Sequence, residues 1–262
     1  MEDPELEVTR AVIGLLGGIG SGKSYVARRT ATLGPGVVLN ADALAHEALH
    51  LYAADGHLAE SVGEEYVQDG KPLIKELGKR AFEDPALLRR LERLIHPYVL
   101  CAIREAIDDH RSGEGPPLLV LEVALLVEVG LDRGCDALWY IEVPDDLRAE
   151  RAGQRGLTLD QIRLREAFQS PKERKRARAD KIIRNDVSDA ALDEQISEGL
   201  RELGVHPRIP TVMEPSGQLG PADSVDGRPE DGGGTPTSHG ESGSNPAGDG
   251  AAADPQIKRP AP

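Results

Sequence analysis

The sequence predicts an α/β fold: a three-layer α/β/α arrangement on a parallel five-stranded sheet, with a helical substrate domain and a helical lid. Three observations carry this. Nearly continuous apolar runs alternate with helical patterns, as parallel strands joined by crossover helices do. The first run ends directly in a glycine cluster, "GGIGSGKS" (Gly17–Ser24), that opens a helix. A basic segment, with twelve Lys/Arg against five Asp/Glu from Arg148 to Arg184, interrupts a 262-residue chain whose net charge is −14.

The elements follow in order. "AVIGLL" (Ala11–Leu16) is a buried-strand run, and "GVVLN" (Gly36–Asn40) a second, followed by a helix from Ala41. "PLLVLEV" (Pro117–Val123), "ALWYIEV" (Ala137–Val143) and "KIIRN" (Lys181–Asn185) supply three more. Continuous apolarity fits strands covered on both faces. The insertion, about 52–112, has apolar residues at i, i+3 and i+4, with helix restarts expected at Asp84-Pro85 and His96-Pro97. A helix from Pro144-Asp145 to about Gln154 begins the lid (about 145–180); Gly156 breaks it and Thr158 caps the next. A last helix runs from about Ser188 to Leu203. Residues 1–205 therefore read as one domain. From His206 to Pro262 there are ten Pro, ten Gly and no aromatic residue, a composition that predicts disorder.

Composition excludes several classes. The polar, acidic start "MEDPELEVTR" is not a targeting peptide, and Glu122 and Glu128 interrupt the most apolar stretch, so no membrane span is expected. Cys101 and Cys135 lack metal-ligand spacing. The acidic balance argues against nucleic acid as a partner. A cytoplasmic monomer is the expectation.

Gly17 to Ser24 satisfies G-x-x-x-x-G-K-[ST] between a strand and a helix, the context in which that pattern forms a phosphate-binding P-loop. Backbone N–H groups of Gly20, Ser21 and Gly22 would point inward, Lys23 would reach the β/γ-phosphates, and the Ser24 hydroxyl would ligate Mg²⁺. The dinucleotide pattern G-x-G-x-x-G is absent, as is the N-K-x-D expected of a GTPase. A small-molecule kinase needs a carboxylate beside the acceptor and cations against the transferring charge. Asp42, just past the second strand, supplies the first. Arg151 and Arg155, four apart on one helical face, supply the second.

These residues together resemble the dephospho-CoA kinase family. "GLLGGIGSGKSYVA" is similar to its opening loop and helix, and "VVLNADALA" to its "hIDADxhA" stretch, which places Asp42 on the catalytic aspartate. "DPALLRRLERLIHP", "LEVALLVEVGLDRGCD", "RAGQRG" and "ADKIIRND" resemble four further family segments, so the likeness runs from Val12 to Leu203. It implies transfer of a phosphoryl group from ATP, with Mg²⁺, to the ribose 3′-hydroxyl of dephospho-CoA. It also implies that Gly20 to Tyr25 line the ATP phosphates, that Asn185 lies near the adenine, and that His96 belongs to the domain closing over the acceptor. The chain departs from the family pattern at Tyr25, Asn40, Glu122, Ala124 and Val127, and Ile74 stands where an arginine is usual, with Lys75 beside it as a stand-in. A P-loop kinase for a nucleoside or nucleotide, and a non-catalytic ATP-binding module, remain the alternatives.

Overall fold

The computed structural model describes residues 9–207. The tail expected from 206 onward lies outside them beyond Pro207.

Strand β1 (Ala11–Leu16) leads through the glycine loop into helix α1 (Lys23–Leu33), and β2 (Gly36–Asn40) leads into α2 (Ala41–Ala54). Then come α3 (His57–Val62), a small hairpin of β3 (Val67–Gln68) and β4 (Lys71–Pro72), α4 (Ile74–Glu83) and α5 (Pro85–Arg111). The hairpin, not expected from the sequence, turns on Asp69 and Gly70, both with positive φ (51° and 68°). Strands β5 (Leu118–Glu122) and β6 (Ala137–Glu142) follow. The lid region holds α6 (Asp145–Gln154), α7 (Leu159–Glu166) and α8 (Lys172–Arg178), and β7 (Lys181–Arg184) and α9 (Asp189–Glu202) complete the order.

The five long strands are parallel, in the order β2-β5-β1-β6-β7. Alternate residues of each strand enter different cores, which is why the runs read as uniformly apolar. On one face Val12, Leu16, Leu119, Leu121 and Tyr140 pack with side chains of α2 to α5. On the other, Ile13, Leu15, Leu118, Val120, Trp139 and Ile141 meet α1 and α9. Each fully buried Leu or Ile stabilises the fold by about 1.5–3 kcal/mol.

Helix α5 corrects one expectation. No restart occurs at His96-Pro97: the helix runs unbroken for 27 residues with Pro97 inside it. His96 and Pro97 both face solvent. Water there can satisfy the carbonyl that a proline cannot serve, so the break is avoided. The true start is Asp84-Pro85, where the Asp84 carboxylate accepts from the N–H groups of Ala86 (2.8 Å) and Leu87 (3.2 Å). These two bonds also hold the Asp84 carboxyl below its usual range.

In α9, Gly199 lies against the ring of Trp139, the single tryptophan of the chain. An added Cβ would fall 2.6 Å from Trp139 Cζ2 and 2.9 Å from Lys181 Cδ. Gly199→Ala is therefore expected to lower stability by about 1–3 kcal/mol. Urea unfolding followed by Trp139 fluorescence checks this; an unchanged midpoint would contradict the packing.

Candidate functional site

Strand β1 delivers the loop to the carboxyl edge of the sheet, where ligands of open α/β sheets bind. Gly22 caps α1 in the left-handed conformation (φ 82°) and offers no side-chain acceptor. The first N–H groups of α1 thus keep their pull on an anion. Lys23 folds back over the loop, its Nζ donating to the carbonyls of Gly17 (2.9 Å) and Gly18 (3.1 Å). Burial pushes the Lys23 ammonium down to about 8, with Lys175 and Arg148 adding to the shift and Glu122 and Asp42 opposing it. Asp42 is therefore close enough to act on Lys23 through space.

Beside Lys23, the Ser24 hydroxyl donates to Glu122 Oε1 at the end of β5. Asn40 Nδ2 donates to the other oxygen, Glu122 Oε2, at 2.7 Å, while Asn40 Oδ1 caps α2 by accepting from the Ala43 N–H at 2.9 Å. Ser24 and Glu122 together present hard oxygen donors, the set that suits Mg²⁺, which keeps several of its own waters. Among the described residues no cluster of three or more His, Cys, Asp or Glu could hold a metal unaided.

Asp42 is exposed, in the first turn of α2. It opens onto a cavity of about 230 Å³ walled by His96, Ile95 and Val99 of α5 and by Val123 and Leu125 after β5. Asp42 and Glu92 are the carboxylates among otherwise mostly apolar walls, and a carboxylate in such a cavity suits orientation of a hydroxyl on a partly apolar ligand. Lys75 is exposed in the first turn of α4 and does not line this cavity; Ile74 before it packs against the core.

On the opposite side of the loop, Asn185 is buried and joins three elements. Its Nδ2 donates to Ser21 O (2.8 Å), its N–H to Glu142 O (3.0 Å), and its carbonyl accepts from Arg151 Nη2 (2.9 Å). Arg151 is thereby held at the loop, whereas Arg155, at the end of α6, is exposed. The Tyr25 hydroxyl donates to Asp189 Oδ1 (2.7 Å) and accepts from Arg29 (3.1 Å), so it ties α1 to α9.

Three residues at the site were not singled out by the sequence. Arg148 of α6 donates through Nε to Ile19 O (3.0 Å) and pairs with Glu166 of α7, which itself accepts from the Ile19 N–H (3.1 Å). Lys175 of α8 is buried and donates to Gln169 Oε1 at 2.7 Å. Burial lowers its pKa, against the pull of Glu128 and Glu166. Arg148 and Lys175 contribute to the basic segment, but charge counting does not say which of its members turn inward.

Comparison with known proteins gives one family. The model of dephospho-CoA kinase matches residues 11–191. A dephospho-CoA kinase of Thermobifida fusca is 37% identical over 196 residues, covering 73% of this chain and 95% of the relative. One of Anaeromyxobacter dehalogenans is 38% identical over 195 residues, covering 73% and 92%. Among solved structures, TT1252 of Thermus thermophilus aligns with a TM-score of 0.61 at 31% identity, covering 74% of this chain and 97% of that one. Dephospho-CoA kinase of Campylobacter jejuni, at 22% identity and a TM-score of 0.50, shares the fold.

The Asn40–Glu122 contact makes a prediction. Asn40→Asp keeps an acceptor for the α2 cap but sets a carboxylate where Glu122 now receives a donor. In chelator at pH 7 this should cost about 1–2 kcal/mol, read by urea unfolding, and millimolar Mg²⁺ should restore most of it. Equal stability with and without the cation would contradict the assignment of this corner to a divalent ion.

Proposed function

The chain belongs to the dephospho-CoA kinase family, and we propose that Lys23, Asp42 and Arg151 carry its phosphoryl transfer. The reaction is that of a phosphotransferase acting on an alcohol: the terminal phosphoryl group of ATP passes to the ribose 3′-hydroxyl of dephospho-CoA, the last step of coenzyme A synthesis.

In this reading the loop N–H groups of Gly20, Ser21 and Gly22, with Lys23, receive the ATP phosphates, and Asn185 holds the loop in shape from below. Lys23 would exchange its two loop carbonyls for phosphate oxygens. Ser24 and Glu122 would hold Mg²⁺, which would supply positive charge against the phosphate oxygens. Asp42 accepts the proton of the attacking hydroxyl as its oxygen bonds to the terminal phosphorus and the bond to the departing ADP breaks. Arg151 sets a positive charge beside the loop, and Arg155 reaches the site only if the lid moves. The acceptor occupies the cavity under Asp42, with His96 at its wall. Lys75 stays outside that cavity, so this reading gives it no contact there.

The observation that carries the proposal is the position of Asp42: it lines an apolar cavity, and it follows Asn40, which shares the Glu122 carboxylate with Ser24 of the loop. The test is ADP release with and without dephospho-CoA. Release that depends on dephospho-CoA supports the reading. Faster turnover with a nucleoside, or ATP binding without turnover on any acceptor, would overturn it. No helix among the described residues is long and apolar enough to cross a membrane.

Two further outcomes are expected. Asp42→Asn should lower kcat by about 10²–10⁴-fold while leaving ATP affinity nearly unchanged. Lys23, with its pKa lowered to about 8, must carry its proton to meet phosphate. At pH 7 it is almost fully charged and at pH 9 about one-tenth charged, so ATP affinity should fall about tenfold between them. Equilibrium binding at the two pH values checks this, and a flat profile would contradict it.

A further inference from the structure

Glu166 stands at the end of α7, where the lid meets the phosphate loop. Its Oε1 accepts from the backbone N–H of Ile19 at 3.1 Å and from Nη2 of Arg148. The Arg148 Nε in turn donates to Ile19 O at 3.0 Å, so guanidinium, loop peptide and carboxylate form a closed triangle. The side chains are 13% and 33% exposed, so the pair is largely withdrawn from water. It also lies close against the loop: a Cβ at Gly18 would meet Arg148 Nη2 and would fall 2.8 Å from Glu166 Oε1.

The chemistry of this contact is that of a phosphate oxygen's own site. A loop N–H and a guanidinium converge on one anionic oxygen, in a loop over whose carbonyls Lys23 is folded. Two anions cannot share these donors. We infer that Arg148 is a ligand for the ATP phosphates, and that Glu166 is an internal competitor that fills their place in the empty enzyme and is displaced when ATP binds. The inference rests on the proposed ATP site.

On this view ATP binding breaks the Glu166 contact, and α7 is released from the loop while α6 stays, held there by Arg148. Removing the charge of Glu166 should therefore strengthen ATP binding, the opposite of what loss of a substrate ligand does. Arg148 should behave as a ligand does. Lys175, which feels both Glu166 and Arg148, remains to balance the loop when Glu166 leaves.

The experiment measures equilibrium dissociation constants of ATP and of adenosine, without acceptor, for the full chain, two single variants and their combination. Glu166→Gln should bind ATP about fivefold to tenfold more tightly and adenosine unchanged. Arg148→Met should bind ATP at least tenfold more weakly, again with adenosine unchanged, and in that background Glu166→Gln should give a smaller gain. Trp139 fluorescence establishes that each variant is folded; Glu166→Gln, a neutral isostere on a partly exposed side chain, carries the test should Arg148→Met fail to fold. Unchanged or weaker ATP binding by Glu166→Gln overturns the inference and leaves the kinase reading intact. Failure of the unaltered chain to bind ATP overturns both.

Discussion

The bare backbone of the loop between β1 and α1 is the constraint around which the rest of the structure is arranged. A Cβ at Gly20 would run into the backbone of Arg148, and one at Gly22 into the side-chain amide of Asn185. Because neither carries one, α6 and the end of β7 rest directly on the loop. That contact brings Arg148, Arg151 and Asn185 to the mouth of α1, and through them the lid. The same chain of contacts explains why the sheet order matters. With β1 between β5 and β6, the loop has Glu122 on one flank and Asn185 on the other, each placed by the end of a strand.

The second theme is charge. Cations concentrate here: Lys23, Lys175, Arg148 and Arg151 lie around one short loop. Left alone they would repel one another, and the lowered Lys23 and Lys175 report that strain together with their burial. The chain offsets it with carboxylates of its own. Glu122 and Asp42 pull on Lys23, Glu128 and Glu166 on Lys175, and Glu166 pairs with Arg148. The acidic total of the molecule thus coexists with a basic centre, and Lys23, Lys175 and Arg148 each have a carboxylate neighbour.

Much of this was legible in the residues. The five parallel strands read directly, because burial on both faces leaves β1 and β5 almost free of polar residues. The loop and the Thr158 cap, which forms a full capping box with Gln161, read from local chemistry alone. Other features did not. The β3–β4 hairpin has two residues per strand, too few to show alternation, although Asp69-Gly70 is a turn signature. Pro97 reads as a breaker because sequence does not say that its side of α5 faces water. The inward turn of Arg148, Lys175 and Glu166 depends on how three short helices fold over the loop. No periodicity records that: the apolar residues of α7, Leu159, Ile162 and Leu164, do not share one face.

Helix α9 has a consequence for how the molecule is made. Its Asp189 and Asp193 hold Tyr25 and Arg29 of α1, and Gly199 closes over Trp139. A ribosome therefore produces the glycine loop early, yet the sheet face that α1 shares with α9 stays only partly covered until α9, the last helix among the described residues, emerges. A nascent chain halted before Gly199 would expose the indole and the apolar side of α1 together, a surface that chaperones bind. Maturation of the enzyme thus waits on a helix that contributes no group to the chemistry.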